Sequence, residues 1–337
     1  MALLEFREGG FYCAAGDFWI DPWIPVKRAI VTHAHSDHAL PGSDAYLTAR
    51  TGVGVLRARV GGDAAVEALE YGERVHLGEV AVSLHPAGHI LGSAQVRLES
   101  RGEVWVVSGD YKLESDATCV PFEPLRCHTF VTESTFGLPI FRWPKPTEVM
   151  ASIEAWWRGN QAAGKASVLF AYPLGKAQRI LAAISGADGA IYTHGSVERM
   201  NTLYRREGVR LAETRPVVEA PGKTDWQKAL ILAPPDAIGS PWMRRFGSYS
   251  TAFASGWMRI RGTRRRRALD RGFVMSDHAD WPGLLEAIAA TGAESVCVTH
   301  GYRAPLVRWL GEHGLRAFAV QGQYSGDTAD QTAEEMA

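Results

Sequence analysis

The sequence predicts an α/β protein of two domains, and three observations carry that expectation. The first third is built of short β-like runs with histidines and aspartates at their ends. The middle alternates apolar strands with amphipathic helical segments, the pattern of a parallel sheet covered by helices. The last stretch returns to the texture of the first, with strands ending again in polar residues. A chain of 337 residues is long enough for two hydrophobic cores.

In the first third, "GFYCAAG", "DFWID", "RAIVT", "VAVSLHPA", "AQVRLES" and "EVWVVSGD" read as strands broken by Gly, Pro or Asp, with "RTGVGVLRARV" as a helix among them. From about residue 145, "PTEVMASIEAWWRGNQAAG" has helical spacing after Pro146, with Thr147 as its expected cap. "SVLFAY" with "GKAQRILAAISG", and "GAIYTHGS" with "VERMNTLYRREG", are two strand–helix units, and "KALILAPP" is a further strand. The return reads strand "GFVMSDHAD", helix "WPGLLEAIAATG", strand "ESVCVTHG", helix "RAPLVRWLGEHG" and strand "LRAFAV". The polar, acidic stretch from Tyr324 is expected to fray.

Composition excludes little. Hydrophobic residues are 46% and charged residues 22%, with 36 Lys+Arg against 37 Asp+Glu, so total charge gives no support for a nucleic-acid binder. The four cysteines, Cys13, Cys119, Cys127 and Cys297, form no C-x-x-C pair, which argues against a zinc ribbon and fits a reducing cytoplasm. "MALLEFREGG" lacks the apolar run of a signal peptide, and no apolar stretch is long enough for a membrane span, so a cytoplasmic protein is expected.

The chemistry is concentrated in "VTHAHSDHAL". His33 and His35 are two apart and share a side of an extended segment. Asp37 and His38 follow, at an expected helix start. One divalent ion could hardly use all four, whereas two adjacent ions could divide them. Three later strand ends supply the remainder: His89 in "HPAGHILGSA", Asp110 in "VWVVSGDYK" and His300 in "CVTHGYR". With Asp110 bridging, each ion has about four protein ligands. The other histidines read differently. His76 and His313 are surface residues, His85 is a structural neighbour, and His194 in "YTHGS" copies the ligand pattern inside the inserted segment.

The H-x-H-x-D-H signature with His89, Asp110 and His300 resembles the metallo-β-lactamase superfamily. That resemblance implies an αββα sandwich. It also implies one ion on His33, His35, His89 and Asp110, and another on Asp37, His38, Asp110 and His300, with Asp21 supporting the loop from behind. Asp110 and His278 are 168 positions apart. This spacing, with "VTESTFG", "SVLFAYPLGKAQRI" and "MSDHADW", resembles the β-CASP nucleases, which insert an α/β cap into the metal domain.

The implied organisation is a metallo-β-lactamase domain over 1–145, a β-CASP insert over 146–270, the return of the first domain over 271–325 and a flexible tail over 326–337. The resemblance further implies phosphodiester hydrolysis by a water activated on two divalent ions, zinc or manganese. On that resemblance Asp37, Glu133 and His278 would be the catalytic residues, with His278 protonating the leaving oxygen and Glu133 orienting His278. The cap would leave a cleft suited to a strand of nucleic acid.

"WMRIRGTRRRRALDRG" lies just upstream of His278, and its Arg264, Arg265, Arg266 and Arg267 are candidates for phosphate contact. Lys176, where a loop meets a helix N-terminus, is another. "FASGWMRIRG", "GFVMSDHADWPGLL" and "VTHGY" resemble bacterial DNA ligase-associated exonucleases. A DNA-repair exonuclease acting with an ATP-dependent DNA ligase and helicase is therefore expected. His300 and "SDHAD" are also the residue types of RNA-processing members, which keeps an RNA-processing nuclease as the alternative. A non-catalytic nucleic-acid-binding subunit is disfavoured by the complete ligand set.

Overall fold

A computed structural model describes residues 2–185, 189–260 and 269–320. It is a mixed α/β protein with three sheets in two compact units. The first unit takes in Met1–Ile140 and resumes at His278; the second is Phe141–Asp277.

The first sheet runs in sequence order through β1 (Glu5–Arg7), β2 (Gly10–Cys13), β3 (Phe18–Ile20), β4 (Ala29–Ile30), β5 (Tyr46–Ala49) and β6 (Val66–Leu69). Helix α1 (Val53–Val60) joins the last two. The pairs are antiparallel up to β3 and parallel from there on. The chain then forms β7 (Arg74–Leu77), β8 (Val80–Pro86), β9 (Ala94–Ser100) and β10 (Glu103–Val107) as an antiparallel run, followed by β11 (Thr129–Thr132), parallel to β10.

The second unit comprises α2 (Pro146–Ala162), β12 (Ala166–Phe170), α3 (Lys176–Ala183), β13 (Ile191–Thr193), α4 (Gly195–Arg206), β14 (Arg215–Pro216), β15 (Leu230–Ala233), β16 (Tyr249–Ala254) and β17 (Arg271–Phe273). Its sheet is all parallel, ordered β14-β13-β15-β12-β16-β17. Strand side chains alternate between two cores, as a sheet covered on both faces requires. Leu169, Leu230, Leu232 and Ala252 pack with Ile153, Trp157 and Ile180 of the helices. Val168, Phe170, Ile231 and Phe253 pack on the other side with Met243 and Phe246. Helix α2 begins at Pro146 itself with Lys145 as its cap residue, so Thr147 does not cap it. Proline at the first helical position brings a preset φ and needs no N–H partner there.

Back in the first unit, α5 (Trp281–Thr291), β18 (Ser295–Val298), α6 (Arg303–Glu312) and β19 (Arg316–Ala319) complete the second sheet, ordered β19-β18-β11-β10-β9-β8-β7. Strand β11 pairs with β18, so the whole second unit lies in sequence between two hydrogen-bonded neighbours. Period-two alternation again separates two cores. Trp105, Val107, Val131 and Cys297 meet Ile20, Ile30 and Leu47 of the first sheet. Val106, Phe130, Val296 and Val298 meet Trp281, Ile288, Leu306 and Leu310 of the helices. Each such side chain, fully buried, contributes about 1.5–3 kcal/mol. Burial also pushes the Cys297 thiol up to about 12, which leaves it inert. Among the described residues no helix is long and apolar enough to cross a membrane.

Candidate metal centre

Parallel strands deliver their last residues to one end of a sheet, and side chains placed there can converge on a ligand. In the first unit β4 leads into Thr32 and His33, β10 into Asp110, β11 into Glu133 and β18 into Thr299 and His300. Pairing continues past the strand ends: Val31 N donates to Leu47 O, Ser108 N to Val131 O and Thr299 N to Thr132 O. The loop from β8 to β9 brings His89, shaped by Ser93 Oγ, which accepts from the N–H groups of His89 and Ile90 at 3.1 and 3.2 Å.

The donor atoms fall into three groups, each within 4.8 Å of one another: His33, His35, His89 and Asp110; Asp37, His38 and His300; and Asp110, Glu133 and His278. One oxygen of Asp110 lies 3.4 Å from Nε2 of both His33 and His38, and 3.9 Å from Nε2 of His89. Asp37 is 3.6 Å from Nε2 of His38. His35 Nδ1 and His89 Nε2 are 3.0 Å apart. All these residues belong to the first unit. Asp37 and His38 lie on a turn and not at a helix start, because the N–H groups of His38 and Ala39 both return to His35 O.

What stands behind the histidines fixes which nitrogen faces inward. Asp21 accepts from Thr32 N at 2.8 Å, Thr32 Oγ1 at 2.6 Å and His38 Nδ1 at 2.7 Å. Thr32 spends its proton on Asp21, so its oxygen accepts from His33 Nδ1 at 3.1 Å. Thr299 Oγ1 donates to Thr132 O and likewise accepts from His300 Nδ1 at 2.9 Å. In each case Nε2 is the nitrogen left to face a cation. Nε2 of His33 and of His38 are buried, and no hydrogen bond reaches them. A buried polar atom left unmet costs about 1–3 kcal/mol. Two of them facing one carboxylate fit a divalent ion, and the nitrogen and carboxylate donors suit one of the zinc type.

The electrostatics agree. Burial works against charge on Asp110, yet His38 and His278 hold its carboxyl well below the usual range. Burial would lower His38, but Asp110, Asp37 and Asp21 outweigh it and hold that imidazole well above the ordinary value. Burial pushes His89 well down, helped by His278, His33 and His35, and burial also lowers His300. The ring nitrogens of His89 and His300 are thus neutral and ready to ligate. The proton held on His38 occupies a place a cation would take.

The third group is wired differently. His278 Nδ1 is 3.0 and 2.9 Å from the two oxygens of Glu133. Glu133 also accepts from Tyr111 N at 2.9 Å and Thr135 N at 3.3 Å, and it is 1% exposed. A carboxylate already taken by N–H groups orients an imidazole through Nδ1 and leaves Nε2 to work.

His300 has φ of 38°, and Gly301 follows with φ of 67°. A Cβ on Gly301 would lie 2.2 Å from the carbonyl oxygen of Ser134, while Ser134 Oγ bonds the carbonyls of Thr299 and His300. Gly301→Ala is therefore expected to push His300 out of place, with metal content and melting temperature both reduced. Metal analysis beside a thermal melt checks this, and a cost of about 1–3 kcal/mol is the scale of such backbone strain.

Lys176 is 4% exposed and lies 3.1 Å from Asp277. Its charge is spent inside the second unit, so the expected phosphate contact is not supported. Arg264, Arg265, Arg266 and Arg267 lie outside the described residues. His194 accepts from Ser196 N and packs edge-on to Trp242 in the second unit, His85 bonds Ser83 and Glu123, and His313 stacks on Trp309. Sequence reasoning did not single out Thr32 and Thr299. The repeated V-T-H at 31–33 and 298–300 was the available signal.

No family model matches the chain. A protein of Opitutus terrae named probable DNA ligase is 30% identical over 314 residues, 92% of this chain and 30% of that protein. An RNase J-like protein of Methanocaldococcus jannaschii is 28% identical over 210 residues, 53% of this chain and 50% of its own. The endoribonuclease ysh-1 of Neurospora crassa is 27% identical over 119 residues, 34% of this chain and 14% of its own. The chain thus spans half or less of each of these relatives. A crystal structure of a protein of unknown function from Enterococcus faecalis superposes with a TM-score of 0.57 at 12% identity, covering 88% of this chain and 79% of that one, a likeness of α/β fold alone. The nuclease-named relatives support the metallo-β-lactamase/β-CASP family that the motifs resemble, and with it a divalent-metal cofactor.

Proposed function

We propose that the chain is a metal-dependent nuclease of the metallo-β-lactamase/β-CASP family, with the first unit as the metal domain and the second as its insert. The observation that carries this is the meeting of donors from four separate strand ends and loops beside the Glu133–His278 pair. In this reading His33, His35, His89 and Asp110 hold one ion, and Asp37, His38, Asp110 and His300 hold the other, zinc in the first instance with manganese as a substitute. Bound there, the ions would lower the pKa of a water and polarise a phosphoryl oxygen. The protein's own part is orientation and proton delivery. Asp21, Thr32 and Thr299 set the ligating tautomers, Glu133 holds Nδ1–H of His278, and His278 Nε2 carries the proton for the leaving oxygen.

DNA is the proposed substrate, attacked from an end. The similarity to a protein named probable DNA ligase extends over 92% of this chain, and a nuclease that trims ends serves a ligase directly. The second reading, RNA processing, draws on the relatives named endoribonuclease and RNase J-like, and the site itself does not report on a 2′-hydroxyl. Single- and double-stranded DNA and RNA, labelled at either end and offered with Zn²⁺ or Mn²⁺, decide between them. Wild type should shorten DNA stepwise, and Asp37→Ala should not. Equal cleavage by the two proteins refutes the metal mechanism, and cutting of RNA alone reverses the substrate.

A further inference from the structure

The chain just ahead of His278 is held by two cations from one turn of helix. Lys176 and Arg179 open α3 three residues apart, a spacing that places them on one side of it. Lys176 Nζ lies 3.1 Å from Asp277, and Arg179 Nη1 donates to the carbonyl of Ser276 at 2.9 Å. All four residues are buried. The residue that follows Asp277 is His278. On its other side, Ala279 N donates to Tyr111 O at 2.7 Å, and Glu133 grips the ring.

A buried ion pair is a weak source of stability, because the cost of taking both charges out of water offsets their attraction. It does select one arrangement. Asp277 can satisfy its charge on Lys176 only at one register of the chain, and the guanidinium–carbonyl bond next to it fixes the direction of that segment. We propose that Lys176 and Asp277, assisted by Arg179, are positioning residues that deliver His278 to Glu133 in one orientation. In this role they act through His278 and not on the reacting atoms. The inference rests on the reading that His278 donates the proton. Groups in that role need placement within about 0.5 Å, and a 1 Å error costs on the order of 10²-fold in rate.

Lys176→Met keeps the stem and removes the cation. It should lower kcat by about 10–100-fold with KM and bound metal unchanged, and Lys176→Arg should recover much of the loss. Removing the cation beside the buried Asp277 carries a folding cost of its own, so Lys176→Met/Asp277→Leu is made alongside. That protein should regain the wild-type melting temperature and keep the low kcat. Histidine ¹⁵N spectra give a readout without turnover, the His278 signal being identified by its loss in His278→Ala. Wild type should show one sharp Nδ1–H tautomer, and Lys176→Met a broadened or doubled signal. An unchanged signal with wild-type kcat in Lys176→Met, or full kcat in the double variant, overturns the proposal. Failure of the nuclease reading looks different: wild type would cleave no phosphodiester, or His278→Ala would keep its rate, while the spectra still decide whether the pair positions the ring.

Discussion

Asp110→Asn is expected to strip the centre of metal and stop cleavage together. One oxygen of Asp110 faces four imidazoles, at 3.4 Å from His33 and His38 and 3.9 Å from His89 and His278. Asparagine has nearly the same shape, so the packing around Tyr111 and Gly109 survives and only the charge is lost. A neutral amide cannot hold two cations near each other as a carboxylate can, and neither proposed ligand set is complete without it. Bound metal should fall from about two ions per chain to below one, and turnover by at least about 10³-fold. Elemental analysis of dialysed protein, run beside end-labelled cleavage, measures both. Asp63→Asn, on an exposed loop residue, should change neither. Two ions retained by Asp110→Asn would remove the bridging role.

That carboxylate was legible in the sequence because its signal is local. A strand of apolar residues ending in "SGD" puts an acid at a sheet edge, and H-x-H in extended chain puts two imidazoles on one side. The short strands were less legible. Arg74–Leu77 alternates exposed and half-buried residues, and Val66–Leu69 buries only Leu69; four positions are too few to show a period. The turn at His35–Ala39 reads as a helix start because a cluster of polar residues after a strand fits either, and only the end of the turn at Ala39, with no helix following, separates them. Lys176 shows the limit most plainly. A lysine after glycine at a helix start reads as an anion site, yet its partner Asp277 is 101 positions away, and no local pattern reports such a pair. The left-handed backbone of Asp21 and His300 was hidden for the same reason, since Asp and His adopt it only occasionally and tertiary bonds decide where.

His278→Ala separates proton delivery from metal binding. His278 touches Glu133 more closely than it touches Asp110, 2.9 against 3.9 Å, so its loss should leave both ions in place. The rate on natural phosphodiesters should drop by about 10²–10⁴-fold, the usual scale for a missing general acid. Glu133→Gln should reproduce part of that loss. The pair His278→Ala/Glu133→Gln should be no slower than His278→Ala alone, because the imidazole that Glu133 orients is gone and glutamine keeps an oxygen for the N–H of Tyr111. The deciding measurement changes the leaving group. A nitrophenyl phosphodiester expels a stable phenolate and needs no proton, so on that ester His278→Ala should approach the wild-type rate. Equal losses on both substrates would mean that His278 does something other than protonate the leaving oxygen. Loss of bound metal would mean that Asp110, Glu133 and His278 form a ligand set of their own.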